Sequence, residues 1–290
     1  MSATKKLRVE LTPVSVLDSI TKLVAAHRGA VVVAGSHGGL YCGWMAAAAG
    51  VRAAVLNDAG VGLDGAGIAC LAPLNTIGIA AATVDYRSAR IGDGHDMVRR
   101  GRVSHVNATA AALGCVAGSD VASCLALLRT ASLPSGFLPP ITETRMVLSD
   151  GASDGVRVVG IDSASLIGVQ DRQCIVVTGS HGGLLGGEPA SAIRQPCMAV
   201  SFNDAGGGAD DAGYSRLPIL DTMCIPAVTV SHMSARIGDA RSSWTTGLIS
   251  AANVCAQQAG VLAGMTLQTA VRCLVDNQAN EFKSHYTGGK

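Results

Sequence analysis

The chain is poor in aromatic residues: Phe, Tyr and Trp together make up 3% of its 290 residues. Apolar residues of all types nevertheless reach 48%, so Ala, Val, Ile and Leu must supply most of the buried surface. Glycine is abundant, with 36 copies. This composition favours thin, closely packed α/β layers in which backbones approach one another.

A charge excess of one sign is also missing, since Lys+Arg 22 against Asp+Glu 21 gives a net charge of +1. Nucleic acid and anionic membranes are bound by basic surfaces, so we expect neither as a partner. No apolar run approaches the ~20 residues of a membrane span. Residues 1–10 also lack the apolar core of a signal peptide. We expect a cytoplasmic protein that binds a small molecule.

None of the nine cysteines forms a CxxC pair, and no cysteine spacing recurs between the two similar stretches of the chain described below. In a protein of this size that pattern indicates reduced, mostly buried thiols. A single catalytic cysteine stays open as an alternative.

The strongest signal in the sequence is an internal similarity. VVVAGSHGGL at residues 31–40 returns as IVVTGSHGGL at residues 175–184. The same offset of 144, which becomes 146 after a two-residue insertion, aligns further stretches: 14–20 with 158–164, 57–67 with 203–213, 88–93 with 234–239, and 104–114 with 250–260. We interpret this as an internal duplication of roughly residues 14–129 and 158–275.

The duplication predicts an α/β fold made of two pseudo-twofold-related halves, each a mostly parallel sheet with flanking helices. We place the first α/β repeat at 1–135, a linker at 136–157, and the second repeat at 158–290. The predicted strands lie at 30–35, 52–58 and 79–84, and at 174–179, 198–204 and 225–230. The predicted helices lie at 40–49, 66–77, 95–114, 119–129, 241–260 and 265–276.

Three shared polar turns follow predicted strands directly: GSHGG, NDAG and SARIGD. The carboxyl ends of parallel strands lie at one edge of a sheet, so we expect these turns to meet. In this hypothesis the histidines act as general bases, the aspartates orient them, and the serines are nucleophiles. The catalytic candidates are therefore His37, His181, Asp58, Asp204, Ser88 and Ser234.

The same turns supply candidates for substrate binding. The backbone amides of GSHGG could stabilise an oxyanion, and the arginine of SARIGD could hold a carboxylate. The predicted binding residues are Ser36, Gly38, Gly39, Asn57 and Arg90 in the first copy, and Ser180, Gly182, Gly183, Asn203 and Arg236 in the second.

Each turn also has a purely structural interpretation. GSHGG could serve only to let a strand and a helix pack closely. NDAG could be a turn stabilised by its own Asn and Asp side chains. In SARIGD, the arginine could pair with the aspartate three residues later.

A divalent metal is a further alternative, although no cofactor is predicted. Asp58 and Asp64 alternate along a glycine-rich loop, as do Asp204 and Asp210, and carboxylates so spaced could bind a hard cation. His37 together with Asp58 could also hold a divalent ion between the halves.

Some residues in these regions have no match in the other copy: Tyr41, Cys42, Asp85, Arg87, His95 and Asp96 in the first, and Glu188, Ser231 and His232 in the second. The strands and helices have drifted between the copies, whereas the polar turns have not. If one substrate lies across the pseudo-dyad, one half could supply the chemistry and the other the recognition.

Together these features predict an enzyme that acts on a small polar metabolite bearing a carboxylate or an amide. The first hypothesis is hydrolysis of a C–N bond, of an amide or a cyclic amide. A lyase or isomerase that uses the same histidines as general bases is one alternative. A non-catalytic small-molecule-binding or assembly protein is another. We also expect a homo-oligomer, because few charges leave much apolar surface to bury.

Overall fold

The computed structural model describes residues 12–152 and 155–287, with side chains up to residue 277. Within these residues, eleven strands form two mostly parallel mixed sheets flanked by helices. The protein therefore belongs to the α/β class, as the sequence predicts. We call residues 12–135 the first half and residues 158–287 the second half.

The first sheet contains five strands that lie side by side in chain order. They are β1 (Val14–Leu17), β2 (Val31–His37), β3 (Ala53–Asn57), β4 (Ala80–Val84) and β5 (Val103–Val106). Strands β1 to β4 are parallel, and β5 is antiparallel to β4. The strands predicted at 30–35, 52–58 and 79–84 are confirmed.

The second sheet repeats this order and adds one strand at its edge. Its strands are β6 (Arg145–Ser149), β7 (Arg157–Ile161), β8 (Cys174–His181), β9 (Ala199–Asn203), β10 (Ala227–Val230) and β11 (Ile249–Ala252). Strand β6 lies inside the segment predicted as a linker, 136–157, and pairs antiparallel with β7. Alternation along β6 places the side chains of Met146 and Leu148 on one face, where both lie close to Gly160 of β7.

The α-helices are short, apart from the last one. They are α1 (Leu40–Ala48), α2 (Leu71–Thr76), α3 (Gly94–Arg100), α4 (Ala108–Ala112), α5 (Val121–Leu128), α6 (Arg216–Thr222), α7 (Ala240–Thr246), α8 (Val254–Gln258) and α9 (Leu267–Thr287). The long helices predicted at 95–114 and 241–260 are wrong. Gly101 and Gly247 take extended conformations that end α3 and α7, and the strands β5 and β11 follow.

Parallel strands buried on both faces carry apolar residues at successive positions. In the first half, Val31 and Val33 pack against α3 and α5, whereas Val32 and Ala34 pack towards α1 and α2. The second half is layered in the same way, with α7 and α9 on one face of its sheet and α6 on the other. Burial on both faces holds the strand ends in fixed positions.

The two halves meet through a small apolar cluster and matching backbone hydrogen bonds. The cluster contains Ala59, Ala66 and Ile91 of the first half and Ala205, Ala212 and Ile237 of the second. The amide of Leu63 donates to the carbonyl of His232, and that of Ala209 donates to the carbonyl of Tyr86, each over 2.8 Å. These contacts relate residues 146 apart, but the internal duplication itself stays a hypothesis.

Among the described residues, no helix has both the length and the apolar character needed to cross a membrane.

Candidate functional site

A cavity of about 1030 Å³ lies between the two halves. Its wall includes Ser36 and His37 from the first half and the equivalent Ser180 and His181 from the second. Residues 141–146, which connect the halves, close one side. The structure thus brings both GSHGG turns to one cavity, and this volume is sufficient for a small metabolite.

The histidines are aimed by the ends of their strands. The pairing register shifts between Val33 and His37 on β2, and between Val177 and His181 on β8. Such irregularities bend a strand and redirect the side chains that follow. Both histidines are at least nine-tenths buried, and each lines the cavity.

Each histidine ring accepts a hydrogen bond from the backbone of its own turn. The amide of Gly39 donates to Nδ1 of His37, and that of Gly183 donates to Nδ1 of His181, both over 3.1 Å. Since Nδ1 accepts, the neutral ring carries its proton on Nε2. The rings are therefore placed as hydrogen-bond donors and not as the general bases that the sequence suggested.

Burial lowers the pKa of both histidines. The pKa of His37 falls from 6.5 to about 4 because its ring is desolvated. The pKa of His181 is lowered well below its ordinary value, first by burial and then by the charge of Arg216 and the nearness of His37. Both rings are consequently neutral at neutral pH, in the form that donates from Nε2.

The surroundings of His37 are thiol, phenol and carboxyl groups. Sγ of Cys42 lies 3.8 Å from Nε2 of His37. The Glu143 carboxyl interacts with the hydroxyls of Tyr41 and Ser163, which belong to different halves. Burial raises the pKa of Glu143, and the charge of Asp162 adds to this effect. Glu143 is therefore a carboxylate of increased basicity on the cavity wall.

The surroundings of His181 are cationic instead. Arg216 is 6% exposed and lines the cavity. Its Nε donates to the carbonyl of Gly183 over 2.9 Å, and its Nη1 donates to the carbonyl of Ala192 over 2.7 Å. Its guanidinium also stacks over the Phe202 ring, 5.0 Å from the centroid.

The predicted oxyanion hole does not form from the GSHGG amides. The amide of Gly38 donates to the carbonyl of Asn57, and that of Gly182 donates to the carbonyl of Asn203, each over 2.8 Å. The amides of the next glycines donate to the histidine rings. Since these donors are already engaged, the turns contribute side chains to the cavity rather than free N–H groups.

Asp58 and Asp204 are placed away from the cavity histidines. Oδ1 of Asp58 accepts from the amide of Tyr86 over 3.0 Å, and Oδ1 of Asp204 accepts from the amide and Nδ1 of His232 over 2.9 and 3.0 Å. Each also accepts from the amide two residues further on. Both aspartates therefore brace their own loops, rather than orienting His37 or His181.

Asn57 and Asn203 are fully buried and likewise brace the backbone. Each Oδ1 accepts from the amide two residues later over 2.9 Å. Each amide group donates to a carbonyl of SARIGD, that of Ala89 or Ala235. The structural interpretation of NDAG is the one that the hydrogen bonds support, so these asparagines are not placed for substrate binding.

Ser88 and Ser234, the predicted nucleophiles, do not belong to the cavity wall. Each hydroxyl donates to the carbonyl three residues earlier, over 2.7 and 2.9 Å. Each also accepts a backbone amide, from Arg102 or Leu248, over 2.8 and 2.9 Å. These hydroxyls hold their turns in shape, with donor and acceptor positions both used.

Ser36 and Ser180, in contrast, do line the cavity. Their hydroxyl oxygens accept the amides of Ile20 and Ala164, over 2.9 and 2.8 Å. A hydroxyl that accepts in this way keeps its own proton to donate. Each GSHGG turn therefore offers a serine O–H and a histidine N–H to the cavity.

Arg90 and Arg236 make ion pairs across the two halves. Arg90 contacts Asp210 over 2.8 Å, and Arg236 contacts Asp64 over 2.7 Å. The predicted pair with Asp93, at 3.9 Å, is longer. Arg236 lines the cavity but is already bound to carboxylate, so neither arginine is a free clamp for a substrate.

A metal site is not assembled from the predicted loops. Asp64 and Asp210 are bound by arginines, and Asp58 binds backbone amides. Across residues 12–152 and 155–287, no group of three or more His, Cys, Asp or Glu side chains is arranged to hold a metal ion.

Sequence reasoning missed two residues of the cavity, Glu143 and Arg216. Glu143 lies in the segment predicted as a linker. Arg216 aligns with Cys70 at the offset of 146. The two residues also make equivalent backbone hydrogen bonds to the GSHGG turns: the amide of Cys70 donates to the carbonyl of Gly38, and that of Arg216 donates to the carbonyl of Gly182. An unmatched charge at an otherwise matched position was the signal that could have identified Arg216.

In comparisons with protein families, with curated proteins and with solved structures, nothing matches this chain.

Proposed function

We propose that the protein is an enzyme that transfers protons on a small, carboxylate-bearing carbonyl compound, as a lyase or an isomerase. His37 polarises the carbonyl group, and Glu143 accepts the proton. The observation that carries this proposal is the meeting, on one cavity wall, of a neutral buried imidazole and a carboxylate of increased basicity.

The properties of Cys42, which contacts both groups' surroundings, support this assignment of roles. Cys42 lies within 3.8 Å of Nε2 of His37, and the charge of Glu143 is close enough to raise the pKa of the Cys42 thiol. The thiol pKa is raised mainly by burial, so Cys42 stays protonated and is not the proton acceptor. Glu143 is therefore the group on this cavity wall that can accept the proton.

The chemistry balances with these groups alone. The Glu143 carboxylate takes a proton from the carbon next to the carbonyl, and the C–H electron pair moves towards the carbonyl oxygen. The Nε2–H of His37 donates to the resulting enolate oxygen, as neutral histidines do in other proton-transfer enzymes. Return of the proton to a different carbon gives an isomer. Loss of a leaving group from the adjacent carbon gives the product of a lyase.

Hydrolysis of a C–N bond is the second candidate, favoured by the hydroxyl of Ser36. Ser36 and His37 are adjacent, and both offer a proton to the cavity. Two such donors suit the oxyanion of a tetrahedral intermediate. In this reaction Glu143 would take its proton from water rather than from carbon, and the water oxygen would attack the carbonyl.

The test is proton exchange in deuterium oxide, followed by proton NMR. Pyruvate, 2-oxobutyrate and 2-oxoglutarate report exchange at carbon, whereas succinimide, hydantoin and N-carbamoylglycine report hydrolysis. We expect the active class to lose at least ~100-fold in rate in His37→Gln and in Glu143→Gln. The matched control is His95→Gln, because His95 is exposed and lies off the cavity wall.

The pH dependence adds a second readout. The carboxylate form of Glu143 acts as the base, so the rate should rise as the pH passes the raised pKa of Glu143. An equal rate in His37→Gln and the wild type would contradict the proposal. Binding without exchange or hydrolysis in either panel would instead support a non-catalytic binding protein.

We also infer that the halves are copies of one unit that together form a single site. Their equal strand order and the backbone contacts between residues 146 apart support this inference. The homo-oligomer stays a prediction, supported by exposed Leu133 and Phe137, which is 96% exposed. Light scattering that gives a monomer mass would contradict it.

A further inference from the structure

Arg216 is a buried cation without a carboxylate partner in the part of the chain that the structure describes. Two of its three nitrogens donate to backbone carbonyls, which are neutral acceptors. Two more-exposed arginines of the cavity wall differ, since Arg145 contacts Asp171 and Arg236 contacts Asp64. Burying an unpaired charge is costly, so such a residue indicates an anion that is bound from outside.

The third nitrogen of Arg216, Nη2, has no hydrogen-bond partner among the described residues. The guanidinium is fixed by the carbonyls of Gly183 and Ala192 and by the Phe202 ring, and it lines the cavity. A guanidinium held in this way is preorganised for an anion, because little side-chain entropy remains to be lost. Burial lowers its pKa to about 10, which leaves it charged at neutral pH.

The cationic surroundings extend beyond Arg216. Arg194 and Arg241 also line the cavity, belong to the second half, and contact no carboxylate among the described residues. The second half's acidic wall residues are engaged with backbone amides: Asp162 accepts from Thr144, and Asp239 accepts from Ser242. The first half offers no equivalent cation, since Cys70 occupies the position that matches Arg216.

We propose that Arg216 and His181 form a subsite for a carboxylate, which orients the ligand in one direction across the pseudo-dyad. Nη2 of Arg216 and Nε2–H of His181 donate to the carboxylate oxygens, while the reactive carbonyl lies at the end of His37 and Glu143. The histidines thus have separate roles, recognition for His181 and chemistry for His37. This subsite rests on the proposed function for its substrate class, a 2-oxo or 3-oxo carboxylate.

Binding measurements that do not need turnover test the subsite. Pyruvate and acetate are titrated by ligand-observed NMR and by thermal shift, each beside its uncharged amide, pyruvamide or acetamide. We expect the wild type to bind the carboxylates at least tenfold more tightly than the amides, because a charge-assisted hydrogen bond is lost in the amide. Arg216→Met should lose this preference, and His181→Gln should weaken carboxylate binding.

The control variant is Arg236→Met, which removes a cavity arginine that is already bound to Asp64. It should keep the preference for carboxylates. Arg216 also donates to two backbone carbonyls, so Arg216→Met could fail to fold. Arg216→Lys then provides a second variant, which keeps the positive charge but loses the bidentate geometry of the guanidinium. We expect Arg216→Lys to bind pyruvate several-fold more weakly than the wild type while still preferring it over pyruvamide.

Equal binding of acid and amide by the wild type would overturn the subsite, as would no binding of any carboxylate at tens of millimolar. An unchanged preference in folded Arg216→Met would also overturn it. These outcomes are separate from failure of the proposed function, which would show as carboxylate binding with no proton exchange and no hydrolysis.

Discussion

The two cavity histidines have the same backbone setting and different neighbours. His37 and His181 end equivalent strands, accept the same backbone hydrogen bond, and carry the same tautomer. One lies beside Cys42 and near Glu143, and the other lies near Arg216. A symmetric framework therefore carries an asymmetric set of charges. In the proposed function, these different neighbours let the cavity distinguish the two ends of a substrate, which a symmetric pair of sites would not do.

If the backbones of the halves are equivalent, glycine substitutions at matching positions should be equally damaging. A Cβ on Gly67 would lie 2.0 Å from the carbonyl oxygen of Asp58, and one on Gly213 would lie 1.9 Å from that of Asp204. We expect Gly67→Ala and Gly213→Ala each to cost about 3 kcal/mol or more, because the backbone must move. Urea unfolding, or loss of soluble protein, measures this effect.

Gly118→Ala serves as the control for the glycine pair. A Cβ there meets nothing within 4 Å, although its φ of +86° is unfavourable for alanine. We expect a cost of about 1 kcal/mol. Wild-type stability in one of the two matched variants would show that the loops around Asp58 and Asp204 differ in conformation.

The buried neutral histidines predict a pH-dependent stability to which both halves contribute. The folded-state pKa of His37 is about 4, below the unfolded value of about 6.5, so the unfolded chain takes up a proton first as the pH falls. Stability that is present above pH 6.5 is therefore lost towards pH 4. Between pH 7 and pH 5 we expect His37 to account for about 2 kcal/mol of this loss.

The variant His37→Gln should remove its share of that loss, and His181→Gln should also reduce the loss, because the pKa of His181 is lowered by burial as well. Glutamine can still accept the hydrogen bond from the turn, so at pH 7 each substitution should change the free energy of unfolding by less than the pH-dependent loss that it removes. His95→Gln, at an exposed position, should leave the pH dependence unchanged. Unfolding free energies that fall equally in all four proteins would argue against buried neutral rings.

Much of the fold could be predicted because burial on both faces of a parallel sheet leaves a clear pattern. The β-branched runs at Val31–Val33 and Ile175–Val177 could hardly be anything but strands. The segments 95–114 and 241–260 could not be divided from sequence, because a single glycine ends each helix there and the residues after it suit either conformation. The edge strand β6 was missed for a different reason: Arg145–Ser149 lies between stretches rich in proline and turn residues, which favoured a linker.

Of the site, the sequence predicted what the two halves share, and could not predict what distinguishes them. His37 and His181 were identified because they recur. Asp58 and Ser88 recur as well, but for loop geometry, and recurrence alone cannot separate the two causes. Glu143 and Arg216 do not recur, and they reach the cavity only through tertiary packing.

Asp58 and Asp204 occupy matching positions away from the cavity histidines, but their pKa values are shifted in opposite directions. Burial raises the pKa of Asp58 by more than its hydrogen bonds lower it. Burial would also raise the pKa of Asp204, but the hydrogen bonds and charge of His232 hold it below its ordinary value. The position that carries His232 in the second half carries Tyr86 in the first.

Exchanging these two residues should exchange the directions of the shifts. We expect His232→Tyr to raise the pKa of Asp204, and Tyr86→His to lower that of Asp58, as read by carbon NMR of labelled aspartate carboxyls. The backbone bonds from positions 86 and 232 stay in place, so the change isolates the ring. If both carboxyls kept their original pKa values, the ring at this position would not be the cause of the difference.

The smallest effect is expected from the ion pairs that link the halves at the surface. Asp64 is contacted by Arg236 alone among the described arginines, whereas Asp210 is shared by Arg90 and Arg100 at 2.8 and 2.5 Å. Removing Asp64 leaves Arg236 with only its longer contact to Asp239, whereas removing Asp210 takes away the carboxylate that Arg90 and Arg100 share. We therefore expect Asp64→Asn to cost less than ~1 kcal/mol, because both partners are about half exposed.

Asp210→Asn should cost more than Asp64→Asn at low salt, and the gap should narrow as salt screens the arginines from each other. Urea unfolding at low and high ionic strength measures the stability of both variants. The control is Lys22→Gln, which breaks the ion pair between Lys22 and Asp18 within the first half. Equal losses at every salt concentration would mean that Arg90 and Arg100 do not share Asp210 in solution. In that case the ion pairs that link the halves would be energetically symmetric.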